Sequence, residues 1–181
     1  MPKKAFLDPI VLKGEKILKK LCVEVPKKMF GTAELKDIIA RMSASLRTTE
    51  HGMAIAANQI GLPYRIFLVR GFVLEGKERS DEDADRAFIN PKIVKLSRKK
   101  ELMDEACLSV PGYHGSIKRA LQATVRAYDE EGIRFDRGAS GLLAQIFQHE
   151  CDHLEGILYI DKAVEVTEVP KDAIDNDPKT A

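Results

Sequence analysis

The stretch "FQHECDHLEG", residues 147–156, sets His149 and His153 four residues apart, with Glu150 directly after the first. On a helix that spacing is one turn and one face, so both imidazoles can point at a common atom. A divalent cation suits such a pair, and Glu150 stands where a carboxylate can move protons for an activated water. The bland alternative is a helix that carries two incidental histidines. A catalytic metal takes three protein ligands and keeps one position open, so the chain must supply one more. The other two of its four histidines, His51 and His114, both precede the motif. A protease of the HExxHxxGxxH kind would match Gly156, but Tyr159 stands where its third histidine belongs. A thermolysin-like site needs a downstream glutamate on a helix, and Glu165 and Glu168 lie in a proline-containing segment with no helical pattern. Cys107, in "DEACLSVPG" (104–112), is the better candidate. It ends an expected strand beside a turn marked by Pro111 and Gly112, a place from which a side chain can be aimed at a helix. Its alternative is a small core residue, as most free cysteines are. Cys151, two residues past His149, faces the far side of the helix and is expected in the core.

The elements that must position these groups follow from periodicity. Residues 140–155 read as a helix with Ser140 as N-cap and Gly156 as stop, apolar around so much of its circumference that it should be central. Residues 33–49 form a second amphipathic helix, with Thr32 as N-cap and Gly52 as stop. Strands are expected at 64–69, 87–97 and 99–109, with Pro91 marking an edge or a bulge. A hairpin is expected over 122–137, turning at "DEEG", and a further strand at 157–161. The acidic stretch 75–86 reads as an exposed loop. The class is α+β: short antiparallel β-sheets around a central HExxH-bearing helix, one catalytic domain over 1–162 and a polar acidic tail over 163–181.

The totals bound the function. A chain of 181 residues can fill one core, and 44% hydrophobic with 31% charged residues is a globular balance. A formal net charge of +1 gives no global pull toward nucleic acid or an anionic membrane, and no apolar run approaches a membrane span. The lysine-bearing start has no sustained apolar segment behind it, so no secretory signal is expected, and it is not Ser/Arg-rich like a transit peptide. Three scattered cysteines argue against a disulfide framework and for a reducing cytoplasm, an organelle being the other home if a transit peptide had been trimmed.

Three separated segments together resemble the peptide deformylase family: "GMAIAANQIG" (52–61), "EACLSVPG" (105–112) and "QHECDHLEG" (148–156). They match, in order, a GxGxAAxQ loop, an EGCLS strand end and a QHExDHL helix. The likeness runs from "DPIVLKGEKILKK" to "ILYIDKA". The resemblance implies that Cys107, His149 and His153 hold one divalent metal, Fe(II) in most members, with Zn(II), Ni(II) or Co(II) able to occupy the site. It makes Glu150 the general acid/base, and Gln59 with the backbone N–H of Leu108 the donors to the developing oxyanion. The implied substrate is the N-formyl-methionyl end of a nascent peptide, attacked by metal-bound water with release of formate. Gly52, Ala54 and Ala106 would run along the bound peptide, and Met53, Met103, Leu142 and Ile146 would line the methionine pocket. Glu105, beside a buried ligand, should pair with a base, and Arg119 is the candidate.

The chain departs from the family pattern at several points. Ala54 and Ala106 stand where glycine is usual, His114 where arginine is frequent, and Gln145 where an apolar pocket residue is usual. The resemblance extends to the ribosome as a partner, through a basic C-terminal helix in many members; the acidic end of this chain lacks that charge. Two other classes remain: an HExxH endopeptidase, and a degenerate relative that binds metal and peptide with little turnover.

Overall fold

A computed structural model describes residues 7–49, 51–78 and 83–169. Helix α1 spans Ala33–Arg47, and the Thr32 hydroxyl accepts from Leu35 N–H, as an N-cap should. The helix stops well short of Gly52. The hydroxyls of Thr48 and Thr49 turn back onto the carbonyls of Ser45 and Leu46, both at 2.7 Å, and satisfy the last turn locally.

Strands β1 (Ala54–Ala56), β2 (Ile66–Val69), β3 (Arg86–Leu96), β6 (Gln122–Tyr128) and β7 (Arg134–Ser140) form an antiparallel sheet in the order β1-β2-β3-β6-β7. β2 is buried at every position because both sheet faces are covered. Phe67 and Val69 face helix α3 (Gly141–Leu154), and Ile66 and Leu68 face α1. On the α3 side Phe67 stacks on Phe88 at 4.7 Å between centroids, and Phe147 closes on Phe88 at 5.2 Å. Pro91 sits in the middle strand, not at an edge; the ladder shifts register between Ile89 and Lys92, so the missing N–H falls in a bulge. The hairpin expected over 122–137 forms and runs on to Ser140, with full antiparallel register.

A second sheet has the order β4-β5-β8, with β4 at Lys100–Ala106, β5 at Tyr113–Ala120 and β8 at Glu165–Glu168. β5 escaped the sequence reading because its inward residues are Gly115, Ile117 and Arg119, so no apolar alternation is visible. Residues 157–161 are not the expected strand. Tyr159–Asp161 form a single 3₁₀ turn, whose Asp161 carboxylate accepts from Leu158 N–H at 2.8 Å. Of the expected polar tail, 165–168 pair with β5 through wholly exposed residues, and the chain from 170 lies outside the described residues. Of the expected acidic loop, 79–82 lie outside the described residues, while the short helix α2 (Gly71–Glu75) leads into it. Asp85, at its far end, is buried between Arg47 (3.0 Å) and Arg70 (3.2 Å) rather than solvated.

Helix α3 lies between the two sheets. The Gln148 side chain stands in for a strand partner of Ala120: its Oε1 accepts Ala120 N–H at 3.0 Å and its Nε2 donates to Ala120 O at 2.9 Å. The helix that carries the histidines is thereby pinned to the end of β5. Its stop is Gly156 at φ +74, where a Cβ would lie 2.6 Å from Lys19 O, so both conformation and space require glycine.

Candidate metal centre and active site

After β4 the chain turns at 107–110, closed by Val110 N–H to Cys107 O at 2.9 Å, and this turn delivers Cys107 to α3. Cys107 Sγ lies 3.1 Å from His153 Nε2, which lies 3.2 Å from His149 Nε2. Cys107, His149 and His153 are the one His/Cys/Asp/Glu cluster of metal-holding geometry among the described residues, all ligand atoms within 4.8 Å of one another. A cation with ~2.0 Å bonds to nitrogen and ~2.3 Å to sulfur has tetrahedral edges of about 3.3 and 3.5 Å. Two of the three edges are therefore those of such a site, slightly compact, and the third lies within 4.8 Å. Electrostatics agree. Burial opposes charge on His149, but Cys107 and Glu105 outweigh it and draw its pKa well up, whereas burial and His149 hold His153 well below the usual imidazole range. Two facing rings do not both take a proton, so His149 carries the charge and His153 stays neutral, its lone pair available to a cation.

The competing third ligands are elsewhere. Glu165 and Glu168 are exposed on β8 and belong to no such cluster. Tyr159 is buried, lies against the His149 ring at 6.2 Å, and donates its hydroxyl proton to Tyr113 O at 3.0 Å. It supports a ligand and is not placed to be one. Cys151 is packed in the core, and burial pushes its thiol up to about 12.

A line of charge holds His149 from behind. Its Nδ1 meets Glu105 Oε2 at 2.8 Å, and Arg119 clamps Glu105 with two bonds of 2.7 and 2.9 Å. Arg119 also reaches Asp152 on α3 at 2.6 Å, and Lys162 caps Asp152 at 2.7 Å. The Glu105–Arg119 pairing was legible in the sequence; the bonds to His149 and Asp152 were not. Burial alone would raise the Glu105 carboxyl, but the hydrogen bonds from Arg119 and His149 hold it down at about 2.

Glu150 is buried, and its Oε2 has no hydrogen-bond partner among the described residues. Burial pushes its carboxyl up to about 7, with His149 pulling against that and Glu105 adding to it. Gln59 follows β1 on the 3₁₀ turn Ala57–Ile60. Its Oε1 is fixed by Ala56 N–H at 2.9 Å, so its Nε2 faces Ser109 Oγ (3.1 Å) and Cys107 Sγ (3.5 Å). Leu108 N–H donates to no backbone carbonyl among the described residues. Asn58, beside Gln59, donates to His153 O at 2.7 Å. Ser109 and Asn58 went unnoticed in the sequence. Ser109 lies two residues past Cys107, so the motif itself pointed to it.

These groups open onto a cavity of about 410 Å³. Six of the seven expected substrate contacts line it: Gly52, Met53, Ala54, Ala106, Leu142 and Ile146. Met103 does not line it. The cavity begins one residue further along β4, at Asp104, Glu105 and Ala106, so half-buried Met103 stops short of it. Gln145 also lines the cavity and bridges its walls by donating to Asp104 O at 2.8 Å, whereas exposed His114 does not reach it.

The family model for polypeptide deformylase matches residues 7–169. The chain is 37% identical over 171 residues to the chloroplastic/mitochondrial peptide deformylase 1A of Arabidopsis thaliana, covering 90% of this chain and 63% of that one. The chloroplastic homologue of Solanum lycopersicum is 33% identical over 169 residues, 88% of this chain and 61% of that one. The chain thus spans less than two thirds of the length of these plant relatives. A peptide deformylase of Christiangramia forsetii is 32% identical over 161 residues, 85% of this chain and 80% of that one. Among solved structures, the Met-Ala-Ser-bound class I type b peptide deformylase of Acinetobacter baumannii superposes with TM-score 0.78 at 28% identity, over 88% of this chain and 99% of that one. With the family model spanning nearly the whole described chain, the protein belongs to the polypeptide deformylase family.

Proposed function

We propose that this chain hydrolyses the N-formyl group from formyl-methionyl ends of nascent peptides, releasing formate. The observation that carries the reading is that Cys107 Sγ and His149 Nε2 both close on His153 Nε2, at 3.1 and 3.2 Å, beside a buried Glu150 oxygen without a partner among the described residues. Bound by these three residues, a divalent cation supplies a Lewis acid that polarises the formyl carbonyl and makes water nucleophilic at neutral pH. Glu150 accepts the proton of the attacking water and delivers it to the leaving amine nitrogen, a shuttle suited to a carboxyl lifted toward neutrality. Gln59 Nε2 and Leu108 N–H donate to the formyl oxygen as it gains charge, and Ala56 and Ser109 keep the Gln59 amide aimed. Met53, Leu142 and Ile146 offer an apolar wall for the methionine side chain. β1 and β4, each at the edge of its sheet, offer backbone groups to an extended peptide. Ala54 and Ala106 narrow that channel by a methyl group each.

For the metal we infer Fe(II), with Zn(II), Ni(II) or Co(II) able to replace it, since one thiolate and two imidazoles suit all four. Three free cysteines suit a reducing compartment, bacterial cytoplasm or organelle. Met-Ala-Ser, bound by the Acinetobacter relative, is what formyl-Met-Ala-Ser becomes when formate leaves. The test is formate release from formyl-Met-Ala-Ser by protein prepared without oxygen and fully loaded with Fe(II). Turnover is the expected result, and a loaded protein that releases no formate overturns the reading.

A further inference from the structure

The segment 7–13 touches both turns that carry the oxyanion donors. Val11 N–H donates to Gln59 O at 2.7 Å, and Lys13 N–H donates to Ser109 O, also at 2.7 Å. Gln59 and Ser109 are 2% and 0% exposed, so their carbonyls need donors from within the protein. The same two residues meet again through their side chains, Gln59 Nε2 donating to Ser109 Oγ at 3.1 Å. A ring of three bonds thus closes through Val11, Gln59, Ser109 and Lys13. Two residues of chain span at most about 7 Å, so the two bonded N–H groups hold the Gln59 and Ser109 carbonyls as a close pair. The segment has no helix or strand of its own, yet it is tied at both ends. At one end Arg41 grips Asp8 through bonds of 2.7 and 3.1 Å, and Ser45 Oγ donates to Asp8 O at 2.8 Å, which fastens it to α1. At the other, Lys13 Nζ lies 4.0 Å from the centre of the Tyr113 ring at the start of β5.

We propose that segment 7–13 is a positioning strap for the oxyanion site: through the N–H groups of Val11 and Lys13 it fixes Gln59 and Ser109 relative to one another, and so keeps Gln59 Nε2 and Leu108 N–H aimed at one oxygen. The proposal rests on the deformylation reading for the roles of those two donors. Gln59 follows β1 of the large sheet and Ser109 follows β4 of the small one, so no single element sets the distance between them. Leu108 directly precedes Ser109, and holding the Ser109 carbonyl limits how far the Leu108 peptide can tilt. One side-chain bond between two rotatable groups sets a separation but no orientation; the two main-chain bonds add the orientation. Donors must converge on the place where charge develops, and hydrogen bonds weaken steeply when misaligned.

The first measurement is amide hydrogen exchange in the wild type, which needs neither metal nor substrate. Although Leu12 and Lys13 are both exposed, the amides of Val11 and Lys13 should exchange at least ~100-fold more slowly than that of Leu12. The second uses Fe(II)-loaded enzyme and formyl-Met-Ala-Ser. Lys13→Pro, which removes the N–H, should lower kcat by about tenfold with KM changed less than about twofold. Lys13→Ala, which keeps the N–H and loses the Tyr113 contact, should lower kcat by less than about threefold. A merely structural strap would cost the same on any background. On Gln59→Leu, where one of the two aimed donors is gone, Lys13→Pro should cost only about threefold. Val11 and Lys13 amides that exchange as fast as Leu12, equal costs of Lys13→Pro on both backgrounds, or Lys13→Ala as damaging as Lys13→Pro would each overturn the proposal. If Lys13→Pro does not fold, Val11→Pro removes the Gln59 bond instead and is read in the same way; if neither folds, the wild-type exchange rates decide alone. A loaded wild type that releases no formate refutes the deformylation reading, whereas freely exchanging strap amides in an active wild type refute the strap, so the two failures are distinct.

Discussion

Arg119→Met should be the most damaging change outside the ligands, because it strands a carboxylate where water cannot reach it. The Arg119 and Glu105 side chains are 6% and 3% exposed and share two bonds, so methionine can fill the volume but return neither. Two routes give the magnitude. Removing one partner of a buried pair typically costs about 3–5 kcal/mol. Independently, the Glu105 carboxyl falls from 4.5 to about 2 on folding; each tenfold change in proton affinity is worth ~1.4 kcal/mol, which makes the whole drop about 3 kcal/mol, Arg119 sharing it with His149. At ~2–4 °C per kcal/mol for a chain of this size, Tm should fall by roughly 6–12 °C. The sign with pH is fixed. A carboxyl depressed in the folded state stabilises above its ordinary 4.5, and that share is lost as pH falls toward about 2. The Tm gap between wild type and Arg119→Met should therefore be full at pH 7 and shrink below pH 4.5. Zinc affinity should drop about tenfold, because Glu105 no longer anchors His149 Nδ1 firmly. In a double-mutant cycle with Glu105→Gln, the combined loss should fall short of the sum by at least ~2 kcal/mol. Additive losses, or a single-variant cost under ~1 kcal/mol, would refute the reasoning.

Cys107→Ala should abolish tight metal binding and the thiolate-to-Co(II) absorption while leaving the fold intact; full retention of metal would restore the endopeptidase reading. Gln59→Leu should lower kcat by roughly 10²–10³ with little change in KM, the range for one oxyanion donor. Ser109→Ala should lower kcat less, by loosening the 3.1 Å bond that aims that donor. Gln148→Leu leaves the N–H and C=O of Ala120 unmatched in the interior, so chemical denaturation should show a loss of about 2–4 kcal/mol.

What the sequence revealed and what it hid divide along a physical line. Regular apolar spacing exposed α1, α3 and the hairpin over 122–137, because each buries one face and its residues record that. β5 was hidden because two of the three residues it turns inward around Ile117 are a glycine and an arginine: one lets Glu165 O and Tyr159 approach, the other is neutralised by two carboxylates. β8 was hidden because it is held by backbone pairing alone, which leaves no mark on side chains. Asp85 looked solvated because a run of acids does not reveal that one of its members meets Arg47 and Arg70. In the site, the spacing of His149, Glu150 and His153 was legible because one helix turn fixes it, whereas Cys107 needed the motif as well as the turn. Ser109, Asn58 and Asp152 act through side-chain bonds to partners 33 to 95 residues away, a relation no local pattern encodes.

The distribution of the site over the two sheets explains why so much polar chemistry lies outside the reacting groups. Cys107 leaves the small sheet at the end of β4, and Gln59 leaves the large sheet at the end of β1, while both histidines ride on α3 between them. Apolar packing fixes α3 firmly against the large sheet, through Phe147, Leu154 and Ala144. Among the described residues the small sheet's apolar cluster is smaller, with Val110, Ile117, Leu158 and Tyr159 buried and Cys107, Tyr113, Ile160 and Ala163 packed partly against them, so it gives the sulfur less apolar support than α3 has. Directional bonds supply what that core lacks: Gln148 to Ala120, Arg119 to Asp152, Glu105 to His149 and Asn58 to His153 each fasten α3 to a neighbouring element. Hydrogen bonds lose strength steeply with misalignment where apolar contacts do not, so they set register where hydrophobic area sets only proximity. The buried charges near the ligands thus act as alignment pins between two independently packed sheets, and a metal bound by one side and both turns of α3 would complete the fastening from within.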